Sequence, residues 1–206
     1  MTSHPHLPGL LLDGEEFGDT EETWTVSNSS TVYESAFIGL SVDTVVGPDG
    51  GRFSRTVVQH PGAVGVLVLD DDDRVLVLDQ YRHPVGKRLI ELPAGTLDIE
   101  GEAAMDAAKR ELREEADLEA AHWQSILRMY ATPGCSTEHW EVFLAEDLSA
   151  TPVGLRTTRK AEEADMRQLW VPLTALVDAA LVGRVGDSMT VAAVLAVHAL
   201  RGRATA

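Results

Sequence analysis

The chain carries two spacings of apolar residues, and its strand-like stretches cluster on either side of one helix-like stretch. Residues 23–60 read as β structure, with GPDGG at 47–51 marking a turn between Ile38–Val46 and Arg52–His60. Pro61-Gly62 then punctuates the chain. Beyond it, the apolar runs Gly65–Leu69 and Val75–Gln80 predict a strand pair around the Asp70–Asp73 turn, and Arg88–Leu92 predicts a further short strand. Residues 102–116 are rich in Ala, Glu, Arg and Leu and lack Pro and Gly, which predicts a helix. Strands follow near 123–131 and 138–145, then a long polar connection over Leu148–Glu162, a strand at Leu169–Val171 and a short helix at 173–182. Asp187 or Ser188 is placed to cap a final helix, with Val191, Val194, Leu195 and His198 on its apolar stripe.

This mixture implies an α/β fold with its strands sandwiched between helices. The break is expected near 58–63, which separates residues 1–60, an arm followed by a small antiparallel β region, from a main domain over residues 61–206. Residues 1–22 mix Pro, Gly and acids and read as the arm.

Composition narrows the function classes. At 206 residues and 44% apolar content the chain can build a sizeable core. Asp plus Glu number 33 against 17 Lys plus Arg, a formal net charge of −16. Such a surface repels phosphate backbones, which argues against a nucleic-acid partner, and it opposes an anionic substrate unless positive charge is gathered locally. The single cysteine, Cys135, excludes an intramolecular disulfide and fits a reducing compartment. No apolar run reaches the roughly 18–20 residues that span a bilayer, and the N-terminus has no cationic flank, so the expectation is a soluble cytoplasmic protein without a membrane partner. The acids at 70–73 read as a solvated turn, Trp24, Trp123, Trp140 and Trp170 as packing residues, and His198 as a packed histidine.

The predicted helix carries the chemistry. Glu114 and Glu115 follow Glu111 by three and four residues, so the three carboxylates share one helix face. Like charges so placed repel by a few tenths of a kcal/mol per pair, roughly, in water. A hard divalent cation resolves that repulsion, and Mg²⁺ commonly bridges carboxylates to substrate phosphates.

Gly95, Glu102, Arg110, Glu111, Leu112, Glu114, Glu115 and Leu118 together resemble the Nudix box, G-x5-E-x7-R-E-U-x-E-E-x-G-U, where U is a bulky aliphatic. Two departures stand out: the first spacing is Gly95-x6-Glu102, one residue longer, and Asp117 replaces the last glycine. The extra residue falls in the loop before the helix, where insertions are tolerated best. Asp tolerates the left-handed conformation better than most residues, so Asp117 is expected to leave the helix that way.

The resemblance implies a Nudix α/β/α sandwich with a mixed sheet, and site roles on matching positions. Glu111, Glu114 and Glu115 would hold Mg²⁺, with Mn²⁺ as a possible substitute, together with the backbone carbonyl of Ala94. Gly95, Glu102 and Arg110 would be structural, Arg110 orienting a glutamate and Glu102 reaching either Arg110 or a metal. Glu115 is expected to face solvent and metal.

Further motifs, LDQYRHPVGKRLIELPAGTLD, TPGCSTEHWEVFLA and EEADM, resemble the ADP-ribose pyrophosphatase branch of that family. A proline about fifteen residues past the box marks the branch, and Pro133 stands fifteen after Leu118. The branch cleaves ADP-ribose to AMP and ribose 5-phosphate with a loop glutamate as base, which matches Glu163 or its neighbour Glu162. Arg82 and Arg55 match substrate-contacting arginines, the latter reaching a partner subunit, and Ser136 and Glu138 lie where the terminal ribose is expected. Branch members are homodimers built through the N-terminal β region. The same helix would serve another nucleoside diphosphate sugar or an oxidised nucleotide, and a non-enzymatic ADP-ribose-type sensor is the alternative from a different class.

Overall fold

The computed structural model of the chain describes residues 2–12, 17–159 and 164–204. In the arm, β1 (Thr2–Ser3) and β2 (Leu10–Leu11) pair antiparallel. Next, β3 (Val26–Glu34), β4 (Gly39–Val46) and β5 (Arg52–Gln59) form a three-stranded antiparallel sheet in that order. The turn joining β4 to β5 closes where Asp49 accepts the Gly51 N–H and Gly50 takes a φ of +79°. Here the expected turn chemistry holds.

The remaining strands are β6 (Ala63–Leu69), β7 (Arg74–Arg82), β8 (Lys87–Glu91), β9 (Ala94–Thr96), β10 (Leu118–Tyr130), β11 (His139–Ala150) and β12 (Arg167–Pro172). They form one seven-stranded sheet along the path β10-β11-β6-β7-β12, with β8 on β7 and β9 on β6. β11 runs parallel to β6 and the other pairs are antiparallel, so the sheet is mixed. Three helices complete the chain: α1 (Ala104–Ala116), α2 (Leu173–Leu181) and α3 (Ser188–Ala204).

Alternation along the central strands sorts two cores onto opposite faces. Val64, Val66 and Val68 of β6 pack with Leu76 and Phe143 against Ala107, Ala108, Leu112 and Ala116 of α1. Leu67, Leu69, Val75, Val77 and Val142 face the other way, against Leu173, Leu176 and Val177 of α2 and Ala193, Val194 and Val197 of α3. Strands buried on both faces read as near-continuous apolar runs, and Val64–Leu69 of β6, interrupted only by Gly65, and Val75–Leu78 of β7 supply them before the buried Asp79 and Gln80. The result is the expected α/β/α sandwich.

Several boundaries differ from the sequence expectation. Strands β10 and β11 run well past the predicted 123–131 and 138–145, because their far ends pair with each other as a two-stranded extension, Leu118 opposite Ala150. The connection after them starts correspondingly later, at Thr151. On α3 the buried stripe is Met189, Thr190, Ala193, Val194 and Val197, while His198 is exposed. That helix is apolar nearly all round, so its composition left the phase of the stripe open.

Candidate active site

Strand β9 pairs with β6 so that Gly65 lies opposite Ala94 and Val64 opposite Gly95. This fixes the box glycine at the sheet, directly under α1. Glu111 of α1 lies against the bare α-carbon of Gly95. One turn on, Glu115 is nearly inaccessible at 6% exposure, and its Oε2 accepts the Ala94 N–H at 2.8 Å. Glu115 is therefore buried against the β9 backbone rather than turned to solvent, because the helix axis passes close over the strand.

Arg110 organises the acids. Its Nε and one terminal nitrogen donate to the two carboxylate oxygens of Glu102 at 3.1 and 2.9 Å, and the other terminal nitrogen donates to Glu111 at 2.6 Å and lies 3.5 Å from Glu114. Of the two partners left open for Glu102, the structure selects Arg110. Hydrogen bonding to Glu102 holds the Arg110 guanidinium above its ordinary pKa, and the same contact holds the Glu102 carboxyl below the usual carboxylate range. The helix ends at Asp117, whose φ of +55° is the left-handed exit expected from its replacement of glycine.

A cleft of about 310 Å³ opens beside this face, lined by His60, Arg82, Glu91, Ala94, Glu138 and Asp187, among others. Arg82, at the end of β7, forks onto both oxygens of Glu91 at 2.7–3.1 Å, and this hydrogen bonding raises its pKa further. Asp187 caps α3: its Oδ2 accepts the Thr190 N–H at 2.8 Å and the Thr190 hydroxyl at 2.6 Å, while Thr190 Oγ1 accepts the Leu92 N–H. Of the two candidate caps, it is Asp187 that performs the role. Glu138 accepts the Trp140 indole N–H at 2.8 Å, and Ser136 accepts the backbone N–H of Glu138. The loop bearing them is tied to β5 through Val58, Cys135 and Thr137.

The structure thus brings Ala94, Gly95, Glu102, Arg110, Glu111, Glu114 and Glu115 together, with Arg82 and Glu138 on the adjoining wall. Ser136 stands behind Glu138. Arg55 is elsewhere in this chain: it lies on β5, stacked 4.4 Å over the Phe53 ring and bonded to the Ser54 carbonyl, and is not among the cleft-lining residues. Glu162 and Glu163 lie outside the described residues. Sequence reasoning missed Glu91, a buried carboxylate under Arg82, and the place of Asp187 in the cleft wall. An acid set between Leu89-Ile90 and Leu92 was the available signal for the first.

The donor set suits a hard divalent cation. It consists of oxygens only, with three carboxylates inside one helical turn and the single guanidinium of Arg110 among them. Among the described residues no three such groups already converge on one point.

A family model described as the NUDIX domain matches residues 59–190. The chain belongs to the Nudix family. Nudix hydrolases generally use divalent metal ions, in keeping with this donor set. The chain is 41% identical over 180 residues to an ADP-ribose pyrophosphatase of Mycobacterium tuberculosis, covering 87% of this chain and 86% of that one. It is 38% identical over 118 residues to an ADP-ribose pyrophosphatase of Bacillus subtilis, covering 57% of this chain and 63% of the relative. Its fold is similar to the crystal structure of an ADP compounds hydrolase, with a TM-score of 0.74 at 20% identity over 90% of this chain and 98% of that one. This Nudix protein is a hydrolase similar to ADP-ribose pyrophosphatases. Among its described residues, no helix is long and apolar enough to cross a membrane.

Proposed function

We propose that this Nudix hydrolase cleaves ADP-ribose to AMP and ribose 5-phosphate with Mg²⁺ as the cation. The observation that carries the reading is the Arg110-organised carboxylate face of α1, packed on Gly95 and Ala94 and opening onto a cleft walled by Arg82. The identity of 41% along most of both chains supports ADP-ribose as the substrate.

Glu111, Glu114 and Glu115 would hold the cation, with the Ala94 carbonyl as a backbone donor. When bound, Mg²⁺ withdraws charge from diphosphate oxygens and lowers the pKa of water at the site. Arg82 supplies a positive group on the adjoining wall, already oriented by its fork on Glu91. Glu163 or Glu162 takes the proton of the attacking water. One water oxygen bonds to phosphorus, one P–O bond of the diphosphate breaks, and the two phosphorylated products separate. Ser136 and Glu138 border the terminal ribose.

Residues 1–60 act as the dimerising unit and residues 61–206 as the catalytic domain of a homodimer. Support comes from β3, an edge strand exposed along all nine residues including Tyr33, and from the exposed Trp24 and Phe37 that flank it in the chain. Across such an interface Arg55 of one subunit reaches the other's substrate. The exposed free thiol of Cys135 supports a reducing, cytoplasmic setting.

The test is a panel of ADP-ribose, ADP-glucose, GDP-mannose and 8-oxo-dGTP with Mg²⁺ or Mn²⁺, with products read by mass in ¹⁸O-labelled water. Release of AMP and ribose 5-phosphate from ADP-ribose, in preference to the others, is the expected result. Tight ADP-ribose binding without turnover would replace the enzyme with a sensor.

A further inference from the structure

We infer that His60 is a further substrate-binding residue, donating its Nε2 proton to an oxygen of the bound diphosphate sugar. The inference rests on the reading of this cleft as the site for such a substrate. His60 follows the last residue of β5 and lines the cleft together with Arg82, Ala94 and Glu138. Its Nδ1 accepts the Gly62 N–H at 3.1 Å. A ring nitrogen that accepts carries no proton, so the neutral imidazole holds its single proton on Nε2. No group among the described residues accepts that proton: the other His60 bonds are made by its backbone. The Trp140 indole, the other ring N–H on this wall, is spent on Glu138. His60 thus keeps a donor available in a cleft whose acids Glu91, Glu138 and Asp187 each already accept one.

The backbone holds the imidazole in place. The His60 N–H donates to Thr137 Oγ1 at 2.9 Å, and its carbonyl accepts the Thr137 hydroxyl at 3.1 Å. Just before it, the Val58 N–H donates to the Cys135 carbonyl at 2.8 Å, and the Val58 carbonyl accepts the Thr137 N–H at 3.0 Å. Just after it, Gly62 takes a φ of +98°, and its carbonyl accepts the Leu97 N–H at 3.0 Å. A Cβ on Gly62 would lie 2.7 Å from the His139 ring. Glycine is therefore required at the very residue whose N–H sets the His60 tautomer. A donor anchored from both sides loses little freedom on binding, so its hydrogen bond counts towards affinity. Two kinds of acceptor suit it, a diphosphate oxygen or a hydroxyl of the terminal ribose, and Thr137 places it beside Ser136 and Glu138.

The two roles of the ring can be separated by substitution. In His60→Asn the amide oxygen stands near the place of Nδ1 and can accept the Gly62 N–H, while nothing reaches the place of Nε2. In His60→Gln the longer side chain carries its amide nitrogen towards the place of Nε2 and gives up the Gly62 bond.

With ADP-ribose and Mg²⁺, His60→Asn is expected to raise KM about tenfold, with kcat changed by less than about twofold and the melting temperature within a few degrees of wild type. His60→Gln is expected to keep KM within about threefold of wild type and to melt lower. Inhibition by ADP, which lacks the terminal ribose, identifies the oxygen. A matching rise in the inhibition constant of His60→Asn assigns it to the diphosphate, and an unchanged constant assigns it to the ribose. A wild-type KM in His60→Asn overturns the inference. So does a KM that rises in step with the loss of melting temperature in both variants, which would leave the ring a structural role only. Turnover decides the substrate separately. If wild type hydrolyses another diphosphate of the panel instead, the proposed substrate falls, and the KM of the two variants on that diphosphate decides His60. If ADP-ribose binds without hydrolysis, calorimetric dissociation constants of the two variants decide it. If wild type neither hydrolyses nor binds any of them, the reading of the cleft falls and the inference with it.

Discussion

Gly95 and Glu111 share one space: a Cβ built on Gly95 would lie 2.0 Å from Cδ and 2.1 Å from Oε1 of Glu111. Neither side can yield easily. Gly95 is paired to Val64 in the sheet, and the same Oε1 of Glu111 is held by Arg110 at 2.6 Å. Gly95 is not among the positive-φ residues, so glycine is needed here for room rather than for conformation. Gly95→Ala should therefore displace the Glu111 carboxylate. We expect kcat to fall by about 100-fold, the order expected for a misplacement of about 1 Å, together with weaker Mg²⁺ activation. Mg²⁺ titration of the variant's activity checks this; an unchanged activation curve would mean that Glu111 does not hold the cation.

Glu115 is a metal candidate that is also buried. Its Oε2 accepts the Ala94 N–H, and an amide oxygen at that place can accept the same bond. Glu115→Gln should keep the fold, with a melting temperature within a few degrees of wild type, about what a loss near 1 kcal/mol produces, and should lose orders of magnitude in turnover. Loss of the cooperative thermal transition would assign the residue to structure instead of metal.

The contrast between these two glutamates shows what could be read from the chain alone. The helix, its acidic face and the left-handed exit at Asp117 follow from spacings within one turn, so they were legible. The burial of Glu115 was not, because it depends on how closely β9 approaches α1. Arg82–Glu91 spans a hairpin, and His60–Thr137 joins residues far apart in sequence. No local pattern encodes such pairs. The His198 error has a different origin: α3 presents apolar residues on most of its circumference, and only the packing of α2 and the sheet selects the buried side. Arg55 matched a motif position, yet within one chain it rests on Phe53, so a contact with substrate would require a second subunit.

Acid should unfold this protein through identifiable carboxylates. Arg110 holds the Glu102 carboxyl below its ordinary value. Burial alone would raise that of Asp79, but hydrogen bonds from Arg88 and Arg167 override it and leave it lowered. The unfolded chain thus binds protons that the folded chain refuses. The stabilisation is complete above the ordinary carboxylate range, about pH 4, and is lost as pH falls through the lowered values of the folded groups. Melting temperature should be flat from pH 7 to about 5 and drop steeply below about 4. Glu102→Gln should start from a lower plateau and show a shallower acid limb. Identical acid slopes in the two proteins would remove Glu102 from the explanation.

The three-stranded sheet ends in β3, and that edge sets the last prediction. A nine-residue strand with every side chain exposed offers unpaired backbone groups, and Val26, Val32 and Tyr33 add apolar surface to it. Monomeric proteins usually blunt such an edge with charge, proline or a covering segment. Here the polar positions are uncharged apart from the terminal Glu34. Covering this edge with a second copy would account both for its exposure and for Arg55, which sits two strands away on the same sheet and does not line its own cleft. Light scattering after size exclusion should give a dimer at micromolar concentration. Val32→Lys with Tyr33→Lys should give a folded monomer whose KM for ADP-ribose rises, and Arg55→Ala should raise KM while leaving the dimer intact. A wild-type monomer at that concentration would remove Arg55 from the site, and the cleft would then have to bind substrate with Arg82 as its cationic wall.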